Sequence, residues 1–149
     1  MRRRLAPSDL GDLFDLALAA TISIPLEGGR VFSRPIWHRF RDGRFVVQFP
    51  DGDRKIAMLE RDPRVTLLLA ENAWPYRGIE VRGRVRMTRD DYAETALAIC
   101  EPYVAAYDPS ADAAAYLSPE PGVIAVLDPE VTTCWDYADD AMMPPTRPA

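Results

Sequence analysis

Apolar residues along this chain recur at two spacings, and the switches between them mark its elements. Ser8 precedes a stretch in which Leu10, Leu13, Phe14, Ala17 and Leu18 fall three and four residues apart. That is one helical stripe, so the pattern predicts an amphipathic helix with Ser8 as its N-cap. From Thr21 the spacing falls to two. TISIPL (21–26), VFSRPIWHRF (31–40) and FVVQF (45–49) read as strands, joined by the turns EGGR and RDGR, whose Gly-Gly and Asp-Gly pairs are hairpin signals. Helical spacing returns in KIAMLERD (55–62), with Ile56 and Leu59 inward, and Pro63 ends it by disfavouring helical geometry in the residue before it. RVTLLLAE (64–71) is an apolar strand.

The cleanest alternation follows the loop NAWPY. Ile79, Val81, Val85 and Met87 share one face, and Glu80, Arg82, Arg84 and Arg86 share the other. Gly83 interrupts the apolar face and predicts a bulge or a close backbone approach. Thr88 with Asp91 resembles a capping box that opens a helix to about Tyr107, bent or split by Pro102. A short helical piece is expected over 110–117, and then two strands, GVIAVLDP (122–129) and EVTTCWDY (130–137). Hairpin-linked strands with helices early and late do not make an alternating parallel sheet. They predict a mainly β (α+β) domain, a closed or nearly closed antiparallel barrel with flanking helices.

The chain of 149 residues is the size of one domain. That domain is expected over residues 1–141, with 142–149, which include PPTRP, as a disordered tail. A net charge of −5 repels polyanions, and no basic patch is long enough to reverse that, so neither nucleic acid nor an anionic membrane is expected as a partner. MRRRL is followed by Asp9, Asp12 and Asp15, which break any signal-peptide core. No stretch approaches a membrane span, and Cys100 and Cys134 stand far apart, as reduced thiols in a cytoplasmic protein do.

The candidate chemistry is narrow. One histidine, His38, and no close cysteine pair exclude a two-histidine metal site within one chain. No nucleophile elbow, phosphate loop or dinucleotide-binding glycine motif is present. His38 reads as a triad base or, more simply, as a packing residue beside Trp37. Lys55 is the single lysine of the chain. At a helix start beside Arg54 it has the ingredients of a phosphate site, against the simpler reading of a solvated helix end. Asp51 and Asp53 upstream oppose an anion there unless they point away. Trp74 and Tyr76 offer flat faces for a ring, or serve as core lids or dimer contacts. The row from Glu80 to Arg86 is a solvated or subunit-facing strand face that can also supply an arginine to an anion.

Four segments in order, RPIWHRF, KIAMLERDPRV, PYRGIEVRGRVRM and VLDPEVTTCWDY, together resemble the pyridoxamine 5'-phosphate oxidase-like superfamily. These are the split β-barrel flavin and deazaflavin reductases, and the branch using coenzyme F-420 is the most similar in pattern. The resemblance covers about residues 8 to 138 and implies an FMN-binding type of split barrel. It implies a homodimer with two cofactor sites in grooves between subunits. Lys55 falls on the family's phosphate-contacting lysine. Ile36, Trp37 and His38 fall where the backbone borders the ring, Gln48 and Phe49 fall on the next strand of the site, and Trp74, Tyr76 and Arg77 match a loop that reaches the neighbouring subunit's cofactor.

The departures are specific. The family's usual K-x-x-N-L has Ala57 and Met58 at its donor positions, and the small hydroxyl residues usual at the end of the third strand are Phe49 and Pro50. Each lost hydrogen bond to a charged group removes about 1.5 to 3 kcal/mol, which Arg54 is placed to offset. The resemblance implies an oxidoreductase passing a hydride from reduced coenzyme F-420 or FMN to a small organic acceptor. No residue is assigned as catalytic acid, with His38, Tyr76 and water as the candidates. The rival reading is a non-enzymatic carrier of FMN, haem or another small ligand on the same barrel.

Overall fold

The computed structural model describes residues 4–138; the expected tail at 142–149 lies outside them. Seven strands form one antiparallel sheet: β1 (Ala20–Pro25), β2 (Val31–Ile36), β3 (Arg39–Arg41), β4 (Arg44–Pro50), β5 (Arg64–Ala70), β6 (Arg77–Thr88) and β7 (Gly122–Asp136). Two helices flank it, α1 (Arg54–Arg61) between β4 and β5, and α2 (Tyr92–Tyr107) between β6 and β7. Strand order across the sheet is β2-β1-β5-β6-β7-β4-β3. The edge strands β2 and β3 are therefore joined by Trp37 and His38 alone. Three Cα steps span at most about 11 Å, so the sheet must curl until its edges nearly meet. They do not pair, and the result is a barrel split along that seam.

The inward residues fill the barrel. Ile22, Ile24, Phe45, Val47, Phe49, Leu59, Leu67, Leu69, Ile79 and Leu127 are each at most 2% exposed. Alternation in β6 is as the sequence predicts: Ile79, Val81 and Val85 are buried, and Arg82, Arg84 and Arg86 are exposed. Gly83 marks a bulge against β7, where a Cβ would lie 2.0 Å from the Asp128 carbonyl oxygen. No room exists there for a side chain.

Five expectations are corrected, the first being the single strand over 31–40, which breaks at Trp37 and His38 into β2 and β3. The N-terminal stripe does not wind into an α-helix. It forms two short 3-10 turns, Pro7–Leu10 and Leu13–Asp15, separated at Gly11 with φ 57°, a value that favours glycine and breaks a right-handed helix. The cap is Ala6 rather than Ser8, and Asp9 accepts the Ala6 amide at 2.7 Å. Leu10 and Leu13 are nonetheless fully buried, so the apolar face is right and its winding is not. The two final strands are one, β7, carried past Pro129 by the bulge. Asp91 is itself the N-cap of α2 and makes no side-chain cap bond; Thr88 Oγ1 accepts from the Asp90 amide instead.

Pro102 does not split α2. Proline removes the N–H that would bond the carbonyl four residues back, at Ala98. Arg39 Nη1 donates to that oxygen at 3.0 Å, so a side chain from β3 fills the gap. Among the described residues, no helix is long and apolar enough to cross a membrane.

Candidate functional site

A groove of about 290 Å³ opens at the seam. Ile36 and Trp37 border it from the end of β2, Gln48 and Phe49 from β4, and Asp53 and Lys55 from the start of α1. The fold brings these together because β4 leads straight through the tight turn at 51–53 into α1, so the last strand residues and the first helical turn share one mouth. Gly52 makes that turn at φ 88°, where other residues are strained.

Lys55 stands in the first turn of α1, and Asp53 is the helix N-cap. One carboxylate oxygen of Asp53 accepts the Lys55 amide at 2.9 Å, and the other meets the Lys55 ammonium at 2.9 Å. Both side chains are mostly sheltered, at 16% and 19% exposure. The ammonium also lies 5.5 Å from the centre of the Phe49 ring. Asp51 is turned away and accepts from Arg89 Nη1 at 2.7 Å. Of the two upstream carboxylates, only Asp53 faces the groove.

Trp37 stacks on Tyr103 of α2, with ring centres 4.8 Å apart and 5° between planes. Gln48 is held by Tyr92, whose hydroxyl donates to Oε1 at 2.8 Å. His38 does not line the groove. It is 3% exposed, edge-on to Phe45 and Tyr103, with Nε2 3.1 Å from the Leu18 carbonyl oxygen and Nδ1 without a partner among the described residues. Burial lowers its pKa to about 4, against a smaller upward pull from the Leu18 bond. At neutral pH it is an uncharged packing residue.

The remaining sequence candidates lie apart from the groove. Arg54 sits over the Phe32 ring at 4.6 Å, which Arg34 also covers at 4.5 Å. Trp74 and Tyr76 pack edge to face in their own loop. Arg77 is engaged on three sides: Nε and Nη2 bind the Glu71 carboxylate at 3.0 and 2.7 Å, and Nη1 binds the Leu10 carbonyl at 2.9 Å and Asp12 at 2.7 Å. The hydrogen bonds to Glu71 and then to Asp12 push its pKa up. It ties the N-terminal 3-10 turns to the barrel.

Tyr92 and Tyr103 were not singled out from sequence. Their spacing of eleven residues, three helical turns, puts both on one face of α2, and that was the available signal. The groove offers an apolar wall, an aromatic ring, an amide and one ammonium paired with a carboxylate. Among the described residues no cluster of metal-ligating side chains exists, and the groove's side chains are a set that can bind and orient a ligand.

A curled antiparallel sheet, split at one seam with a mixed aromatic and cationic groove along it, defines the split β-barrel class. Solved structures agree. A conserved hypothetical protein from Mycobacterium tuberculosis superposes with a TM-score of 0.74 at 16% identity, over 100% of this chain and 98% of that one. An F-420 reductase gives 0.66 at 21% identity over 86% and 98%, and a FAD-binding protein from Mesorhizobium loti gives 0.63 at 16% over 89% and 95%. No family model and no curated protein matches the sequence. The chain thus has the fold of the pyridoxamine 5'-phosphate oxidase-like split barrels, as the four sequence segments imply.

Proposed function

We propose that the protein is an oxidoreductase that binds coenzyme F-420 or FMN in the seam groove and works as a homodimer. The observation that carries this reading is the placement of Lys55: the only lysine is held, sheltered, at a groove that Trp37 also lines. An ammonium and an aromatic wall match a ligand with a phosphate at one end and a flat ring at the other. When bound, the cofactor supplies the hydride transfer. The chain's part is to fix the ring against Trp37, neutralise the phosphate with Lys55, and keep water from one ring face.

Asp53 is the feature that opposes an anion. Its carboxylate and the Lys55 ammonium nearly cancel, and the donors lost at Ala57 and Met58 are not replaced by Arg54, which stacks on Phe32 instead. That observation favours weaker phosphate binding and supports the second reading, a carrier or sensor that holds a flavin without turnover.

The homodimer is supported by an uncovered sheet face. Leu68, Val131 and Val31 are 37%, 44% and 60% exposed, with Leu68 flanked by Thr21 and Glu80 and Val131 beside Arg82. In a dimer Trp74 and Tyr76 are available to the partner's groove; the Arg77 guanidinium is already occupied.

Titration with FMN and with oxidised F-420, followed by cofactor and tryptophan fluorescence, tests the reading. Binding at micromolar concentration, weakened at least tenfold by Lys55→Ala, is the expected result. An unchanged dissociation constant removes Lys55 from the site. Binding without turnover under any reductant and acceptor pair selects the carrier.

A further inference from the structure

α2 lies against β4 and β7 on the outside of the barrel, and two of its three tyrosines reach the two groove residues best suited to recognise a ring. Tyr92 and Tyr103 share a helix face about 16 Å apart along the axis. The Tyr92 hydroxyl donates to Gln48 Oε1 at 2.8 Å. Its ring is seated tightly, since a Cβ at Gly122 would come within 2.7 Å of it. With Oε1 engaged, the Gln48 amide nitrogen has no partner among the described residues, and it carries two donors. Tyr103 is fixed by its own hydroxyl, which donates to the Leu18 carbonyl at 2.9 Å and accepts from the His38 amide at 3.2 Å. Its ring covers one face of Trp37, which is 38% exposed and borders the groove.

We infer that Tyr92 and Tyr103 are positioning residues that set Gln48 and Trp37 as the edge and face of a slot, so that the groove selects a flat heteroaromatic ring bearing hydrogen-bond acceptors on its rim. The inference rests on the cofactor reading above and adds what recognises the ring, as distinct from the phosphate. Without the Tyr92 bond, the Gln48 side chain has three free torsions, and ordering them on binding costs affinity. Without Tyr103, the indole has no fixed plane for stacking. A sugar phosphate has no flat π-face for the Trp37 wall, whereas a flavin or deazaflavin stacks on it while the carbonyl oxygens on its pyrimidine rim meet the amide donors.

The test separates ring from phosphate by using paired probes, FMN with riboflavin, and F-420 with its phosphate-free deazaflavin core, on the full chain. Tyr92→Phe removes one hydroxyl, and it should weaken both members of the binding pair by the same factor, roughly tenfold, the equivalent of one hydrogen bond. Lys55→Ala should weaken only the phosphorylated member. Gln48→Glu keeps an acceptor for Tyr92 but loses the amide donors, and should weaken both members, the phosphorylated one further because the new carboxylate repels it. Trp37→Leu should brighten the bound probe's emission at saturation, a signature that a purely structural role does not give. Thermal midpoints within a few degrees of the unmodified chain establish that the variants fold. If the unmodified chain binds a pair and neither Tyr92→Phe nor Gln48→Glu weakens the phosphate-free member, the slot is overturned and the cofactor reading stands. If it binds neither FMN nor F-420, the cofactor reading itself fails, and the slot fails with it.

Discussion

At the scale of single residues, the chemistry of the groove turns on how Asp53 divides its two oxygens between the helix start and the Lys55 ammonium. Asparagine is as good an N-cap as aspartate. Asp53→Asn should therefore leave the thermal midpoint nearly unchanged while freeing Lys55, and the affinity for a phosphorylated cofactor should rise about three- to tenfold; calorimetric titration showing equal or weaker binding would place the anion elsewhere. His38 supplies a second prediction, on stability. Its pKa is lowered to about 4 by burial, against an ordinary value near 6.5 in the unfolded chain. Below 6.5 the unfolded chain takes up a proton that the folded chain refuses, so stability falls as pH drops from about 6.5 to about 4, by roughly 3 kcal/mol, and this loss then levels off. Asp62 and Asp128 are held down to about 2, first by hydrogen bonds from Arg64 and Arg86 respectively, so their loss begins only at lower pH. Urea unfolding between pH 4 and 7 should show the slope for the natural chain and not for His38→Gln, which keeps a donor for the Leu18 carbonyl. Equal slopes would assign the pH dependence to other groups.

Elements hold their course here through partners far away in sequence. α2 runs through Pro102 because Arg39, on β3, occupies the Ala98 carbonyl. The long antiparallel pair of β6 and β7 carries an extra residue at Glu130, where Arg82 pairs with Val131 and Gly83 with Pro129. The bulge keeps both strands in one ladder across a proline that has no N–H to give. Gly83→Ala forces a methyl to 2.0 Å from the Asp128 carbonyl oxygen, and one strand must shift. We expect a loss of at least about 3 kcal/mol in denaturant unfolding, and a midpoint equal to that of the natural chain would show that the bulge relaxes freely. The ladder of Arg84 with Glu130 and of Arg44 and Arg86 with Asp128 crosses the same region on the exposed face. Such surface pairs add little each, so the backbone approach at Gly83, more than the charges, fixes the register.

For the whole molecule, the split barrel leaves one sheet face open, and the proposed dimer covers it. Light scattering should give twice the mass of the chain, and Leu68→Glu, at the centre of that face, should yield folded monomers; a natural chain that is monomeric at micromolar concentration would remove the two-subunit site. The sequence by itself determined where most of the strand-forming stretches lie, the two faces of β6, the glycine at the bulge and the helix that carries Lys55, because each follows from local periodicity and from backbone rules that act within a few residues. It also put Lys55 and Trp37 on candidate elements through the family-like segments, and Gln48 on the strand FVVQF. Only the tertiary structure decided which of those side chains meet. Whether the N-terminal stripe winds as an α-helix depends on how Arg77 and Gly11 seat it against the barrel end. That His38 turns inward while Trp37 borders the groove follows from the crossing between the two sheet edges. Asp53 sharing itself between a cap and an ammonium, and two tyrosines on a distant helix standing behind the groove, are contacts between segments about 2 to 66 residues apart. The remote ones leave no local period in the sequence, because the forces that set them act through space, after the sheet has curled.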